Sequence, residues 1–182
     1  MSRSHANRGK AWEQWLDRVH LIYQMQQRAV VVRLQPRFKV LGQAGKGQFR
    51  GVWEGPGPVD YVAMAQGQVF AFDAKSSGHR LTFEGIPREQ ALCLDAWQQQ
   101  GAYTFIALCL TGNPPGSGAM GAYVVPWVNF RALYWEWQDA PRGSGKKASL
   151  SVRDLNNGMG TPMHGHGWLE TIRGPSEVQE QP

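Results

Sequence analysis

The stretch "YTFIALCL", Tyr103 to Leu110, runs apolar almost without interruption. A strand with one face in water alternates polar and apolar residues, so a strand without that alternation has to be covered on both faces. The stretch therefore predicts a strand near the centre of a sheet. The neighbouring segments supply the covering layers. From Lys10 to about Arg28 the apolar residues Trp12, Leu16, Val19 and Tyr23 recur at helical spacing. Pro87 stands as a first-turn residue before "REQALCLDAWQQQ", a helix closed by Gly101. "VNFRALYWEWQ" reads as a short aromatic helix.

Three further segments read as strands. "AVVVRL" (Ala29–Leu34) is a β-branched run ended by Pro36, Val59 to Lys75 is a hairpin, and "AYVVPW" follows the central strand. The order α-β-β-β-α-β-β-α fits one α/β domain with a mixed sheet, and 182 residues suffice to bury its core. "KVLGQAGKGQFRGVWEGPGP" (Lys39–Pro58) reads as an exposed, partly β flap. "SSGHRLTF" reads as loop or edge. The stretch from Asn156 to Pro182 reads as a tail, poorly structured at its end.

The formal net charge of +5 favours a polyanionic partner. Its placement matters more, because Lys39, Lys46, Arg50, Arg142, Lys146 and Lys147 cluster in Gly-rich loops. No long apolar run predicts a membrane span, so a cytoplasmic chain without a membrane partner is expected. Cys93 and Cys109 lie in apolar segments without metal-ligand spacing and read as reduced thiols.

The hairpin carries charges where charge is costly to bury. In "VFAFDAK", Phe70, Phe72 and Ala74 point to one side of a strand and Val69, Ala71, Asp73 and Lys75 to the other. Asp73 and Lys75 thus share a face, about 7 Å apart along the strand. A two-residue turn at Gln66-Gly67 sets Asp60 across from Asp73, with Cβ atoms about 5 Å apart. Like charges so placed repel. The arrangement becomes favourable with a divalent cation between them, and Mg²⁺ takes one or two carboxylates and leaves its other positions to water and phosphate oxygens. Lys75 would then orient and help deprotonate a water attacking a phosphodiester, or offset transition-state charge. On spacing alone a second reading stays open: Asp60 begins a strand in a turn, and Asp73-Ala74-Lys75 is a solvated hairpin edge.

"PVD" at the start of one strand and "DAK" at the end of the next match the pattern of the PD-(D/E)xK nucleases. Together with "NRGKAWE" (Asn7–Glu13), "VDY" (Val59–Tyr61), "FDAKSS" (Phe72–Ser77) and Glu89-Gln90, they make the chain resemble the RecU-type Holliday junction resolvases from about Asn7 to Leu155. That resemblance implies a restriction-endonuclease-like α/β core, a mixed central sheet flanked by helices, with a projecting basic stalk or flap. The nuclease domain would occupy residues 1–155, with the stalk at about 39–57 and the tail at 156–182. Asp60 and Asp73 would be metal ligands with the backbone carbonyl of Ala74. Lys75 would be the catalytic lysine, Glu13 an additional acid near the metal, and Gln90 a residue close to the site. The family works as a homodimer on four-way DNA junctions. It nicks two strands symmetrically with Mg²⁺, for which Mn²⁺ substitutes, and leaves 5′-phosphate ends, its stalk entering the junction's centre.

The sequence departs from the family pattern in two places. Asp73 stands where Glu is frequent, and Glu89 stands where a His commonly precedes the Gln. His79 either takes over that His role or is simply solvated. Expected DNA contacts are Arg8 and Lys10 at the first helix start, where a phosphate is favoured, then Lys39, Lys46, Arg50, Gln90, Lys146 and Lys147. Phe49 and Trp53 either stack on unpaired bases or hold the flap together. Tyr134 to Trp137 read as core or dimer packing, and His164 and His166 as tail residues. Two other functions remain: a nuclease of the same superfamily acting on linear or branched duplex, and a non-catalytic DNA-architecture protein.

Overall fold

A computed structural model describes residues 3–35, 38–53, 58–111, 121–163 and 167–173. Helix α1 (Arg3–Met25) turns Trp12, Leu16, Val19 and Tyr23 inward, as their spacing requires. It begins seven residues before Lys10, so Lys10 and Glu13 lie inside the helix and not at its start. The helix start therefore precedes the Arg8 and Lys10 positions at which it was expected. Lys10 is exposed, and the side chain of Arg8 lies outside the described residues.

Strand β1 (Val30–Arg33) follows, and β2 (Phe38–Gly45) and β3 (Gln48–Trp53) pair with each other in a separate two-stranded sheet. That hairpin is the expected flap. Lys39, Lys46 and Arg50 are all exposed on it, while the side chains of Phe49 and Trp53 lie outside the described residues. Strands β4 (Tyr61–Ala65) and β5 (Gln68–Ser77) are joined at Gln66-Gly67, with φ of 47° and 79°. Two left-handed residues give the turn the twist that antiparallel strands demand. The resulting register pairs Tyr61 with Phe72 and Val62 with Ala71, as the sequence predicts.

β6 (Arg80–Thr82) precedes α2 (Arg88–Gln99), which starts directly after Pro87 and gives way at Gly101, whose φ is 86°. β7 (Tyr103–Leu110), β8 (Gly121–Pro126), α3 (Trp127–Gln138), β9 (Ser149–Ser151), α4 (Val152–Asp154), β10 (Thr161–Pro162) and α5 (Trp168–Arg173) complete the chain. The central sheet runs β1-β4-β5-β7-β8-β10. Its β5–β7 neighbours are parallel and the other pairs antiparallel, so the sheet is mixed. β7 lies inside it, and the absence of alternation has its explanation in two cores. Phe105, Ala107 and Cys109 enter the layer under α1 and α5, while Ile106, Leu108 and Leu110 enter the layer under α2 and α3. Tyr134 is fully buried in the second layer. Cys93 and Cys109 are free thiols, Cys109 buried.

The boundary expected at residue 155 is not a boundary of the fold. β10 adds a strand to the sheet beside β8, and Trp168 is fully buried in the α1 layer against Tyr23, Phe70, Phe72 and Phe105. The polar, Gly-rich composition of this stretch hid a single large anchor. Its indole removes enough apolar surface from water to hold the segment down. His164, His166 and residues 174–182 lie outside the described residues. Among the described residues no helix is long and apolar enough to cross a membrane.

Candidate active site

Alternation along β5 sends Phe70 and Phe72 into the α1 layer and Asp73 toward α2. Asp73 is fully buried, a costly place for a carboxylate. Asp60 stands just before β4, where that strand's backbone stops pairing with β5. Its carboxylate takes over the ladder: Oδ2 accepts from the backbone N–H of Ala74 at 2.8 Å. Its own carbonyl accepts from the N–H of Leu34 at 2.8 Å, tying it to the end of β1. Asp60 is thereby held from two sides next to Asp73.

Burial pushes the Asp73 carboxyl up to about 7; the neighbouring Lys75 ammonium opposes that rise and the Asp60 carboxylate adds to it. The Nζ of Lys75 lies 2.5 Å from Asp73 Oδ2. That oxygen is buried and accepts no well-aligned hydrogen bond, so the contact is ionic without being directional. Gln90, in the first turn of α2, closes the cluster. Its Nε2 donates to Asp73 Oδ1 at 2.9 Å, and its Oε1 accepts from Lys75 Nζ at 2.9 Å.

The structure thus brings together Asp60, Asp73, Lys75 and Gln90. Gln90 is only 6% exposed and both ends of its amide are taken, which corrects its expected place among the DNA contacts. Glu13 is engaged elsewhere. Its carboxylate pairs with Arg33, which also donates to Asp17 at 3.0 Å and lies over the Tyr61 ring. Tyr61 points into the α1 layer, on the face of the sheet opposite Ala71 and Asp73. Among the described residues no three acid, His or Cys side chains converge as a metal cage. Any ion here would depend on the two aspartates, a peptide carbonyl and water.

Lys146 pairs with Glu136, and Lys147 donates to Asp154 at 2.5 Å, so both are tied to the protein's own surface acids. His79 is exposed between β5 and β6. Sequence reasoning missed two partners, Arg33 for Glu13 and the bridging geometry of Gln90. A single Arg at a strand end carries no signal of its partner. Gln90 was visible only as one polar residue opening a helix.

A mixed α/β sheet that sets two aspartates and a lysine at the ends of adjoining strands is the arrangement of the PD-(D/E)xK nuclease class. The family model of recombination protein U matches residues 7–159, and the chain belongs to that family, the RecU-type Holliday junction resolvases. No curated protein sequence matches it. Among solved structures, the Holliday junction resolvase Hjc of Archaeoglobus fulgidus aligns with a TM-score of 0.44 and 16% identity, over 81% of this chain and 92% of that one.

Proposed function

We propose that the chain is a Mg²⁺-dependent, structure-selective endodeoxyribonuclease that resolves four-way DNA junctions in the cytoplasm by symmetric nicking, working as a homodimer. One observation carries the reading: in a chain of the RecU family, Asp60, Asp73 and Lys75 meet at one end of β4 and β5. The cluster suits a hard cation. Asp73 Oδ2 already draws one cation, the Lys75 ammonium at 2.5 Å, and burial, with the Asp60 carboxylate alongside, raises the Asp73 pKa. The donors on offer are oxygens, from Asp60, Asp73 and the Ala74 carbonyl, which Mg²⁺ accepts and Mn²⁺ shares.

Bound there, the ion would polarise a phosphodiester and acidify a water. The protein's own groups do the rest. Asp60 and Asp73 would hold the ion at the sheet end. Lys75 keeps 21% of its side chain exposed, within reach of a ligand from solvent. There its ammonium meets the negative charge that develops on the phosphate. Glu13 joins only if its pair with Arg33 opens. A homodimer matches a junction whose own two-fold axis presents two equivalent strands. Lys39, Lys46 and Arg50 give the β2–β3 hairpin the charge to enter that junction.

The test is incubation of the protein with matched four-way and linear DNA, with and without Mg²⁺. Paired nicks bearing 5′-phosphates, in the junction alone and with Mg²⁺ alone, are expected. Equal cleavage of linear duplex would replace the reading with a general duplex endonuclease. Tight binding without cleavage would make the chain an architectural protein.

A further inference from the structure

Lys75 has four carbons between its backbone and its charge, and an unrestrained ammonium would sample many positions around Asp73. Gln90 removes that freedom. A carboxamide has one donating end and one accepting end, and here the donor faces a carboxylate and the acceptor faces an ammonium. Each end meets the partner of opposite character, so the side chain fits in one orientation only. The amide also occupies Asp73 Oδ1, so the Lys75 ammonium meets that carboxylate at Oδ2, 2.5 Å away. The helix beneath is anchored, since Ala91 and Leu94 are fully buried against the sheet.

We propose that Gln90 is the positioning residue of the site: its amide holds the Asp73 carboxylate by Oδ1 and clamps the Lys75 ammonium in register against Oδ2, and it makes no contact with DNA. The role rests on the nuclease reading above and goes beyond it in assigning how the lysine is aimed. Few replacements reproduce it. Asn is one methylene too short to span both partners. Glu presents a second carboxylate to Asp73. Met fills the same space with neither donor nor strong acceptor.

The experiment compares Gln90→Met and Gln90→Glu with the wild type, using four-way DNA. Three quantities are measured: the single-turnover cleavage rate at saturating protein with Mg²⁺, the junction Kd in EDTA, and the thermal midpoint. The expected result is a rate reduced roughly 10- to 100-fold in both variants, the range typical of lost orienting partners, with Kd within about twofold of wild type. Gln90→Met is expected to stay folded at the assay temperature, with a midpoint lowered only by the loss of its hydrogen bond to the buried carboxylate, which separates loss of aim from loss of fold. A weakened Kd with an unchanged saturated rate would make Gln90 a DNA contact and overturn the proposal. So would a wild-type rate in Gln90→Met, or a rate loss that disappears when the assay is run well below its thermal midpoint. If the wild type itself cuts no junction, the nuclease reading fails first and takes this role with it.

Discussion

His20 is a titratable side chain buried in the α1 layer, and acidification should act through it. Its Nε2 accepts from the indole N–H of Trp168 at 3.1 Å, while Tyr61 and Phe72 meet the ring edge-on at 4.8 and 5.8 Å between centroids. Burial lowers its pKa from 6.5 to about 4, with Asp17 pulling weakly the other way. Protonation would remove the lone pair that Trp168 uses and place a charge among aromatic rings. The folded value lies below the unfolded one. Stability is therefore complete above pH 6.5 and is lost as pH falls toward 4.

The gap corresponds to about 3 kcal/mol, a large share of the ~5–15 kcal/mol that holds a typical domain folded. In a chain of this size that is a fall of roughly 6–12 °C in thermal midpoint. The assay is urea or thermal unfolding at intervals from pH 7 to pH 4, comparing wild type with His20→Gln. Gln offers an oxygen to Trp168 and does not titrate. Carboxylates affect both proteins alike and cancel in the difference. The wild type is expected to lose about 3 kcal/mol relative to the variant across that window. Parallel curves would refute the reasoning, because they would mean that His20 is protonated as readily folded as unfolded.

Three further variants probe the site, the core and the flap. Asp73→Asn should abolish junction cleavage while junction binding is retained or tightened, since a carboxylate facing the phosphate is gone; unchanged cleavage in a gel assay would exclude Asp73 from the chemistry. The metal-free variant should also melt above the metal-free wild type, and Mg²⁺ should raise the wild-type midpoint but not the variant's, as read by thermal unfolding with and without the ion. Gly167→Ala should destabilise the fold by about 3 kcal/mol: at a φ of +114° its Cβ would stand 2.3 Å from Tyr23 Oη and 2.7 Å from Val19 Cγ1, and an unmoved midpoint would count against that packing. Changing Lys39, Lys46 and Arg50 together to Ala should flatten the plot of log Kd for the junction against log salt by about 2 to 3; an unchanged slope would remove the β2–β3 hairpin from the DNA interface.

Much of the fold was legible because it depends on short-range periodicity. The unbroken apolar run of β7 demanded cover on both faces. The turn at Gln66-Gly67 set the β4–β5 register, and with it the faces of Phe72 and Asp73. Those local rules suffice to bring Asp60, Asp73 and Lys75 together. Chain order and spacing say nothing, however, about which distant residue arrives beside them.

Tertiary structure alone decided that Gln90 bridges Asp73 and Lys75, that Arg33 engages Glu13, and that Trp168 completes the α1 layer. Local patterns encode which way a side chain faces, because backbone geometry repeats every two residues in a strand and about every 3.6 in a helix. Partners are chosen by how the layers close, and that depends on the whole core at once. Trp168 makes the point: its neighbours in sequence are polar and glycine-rich, yet the space left between α1 and the sheet fits an indole whose N–H finds the buried imidazole of His20.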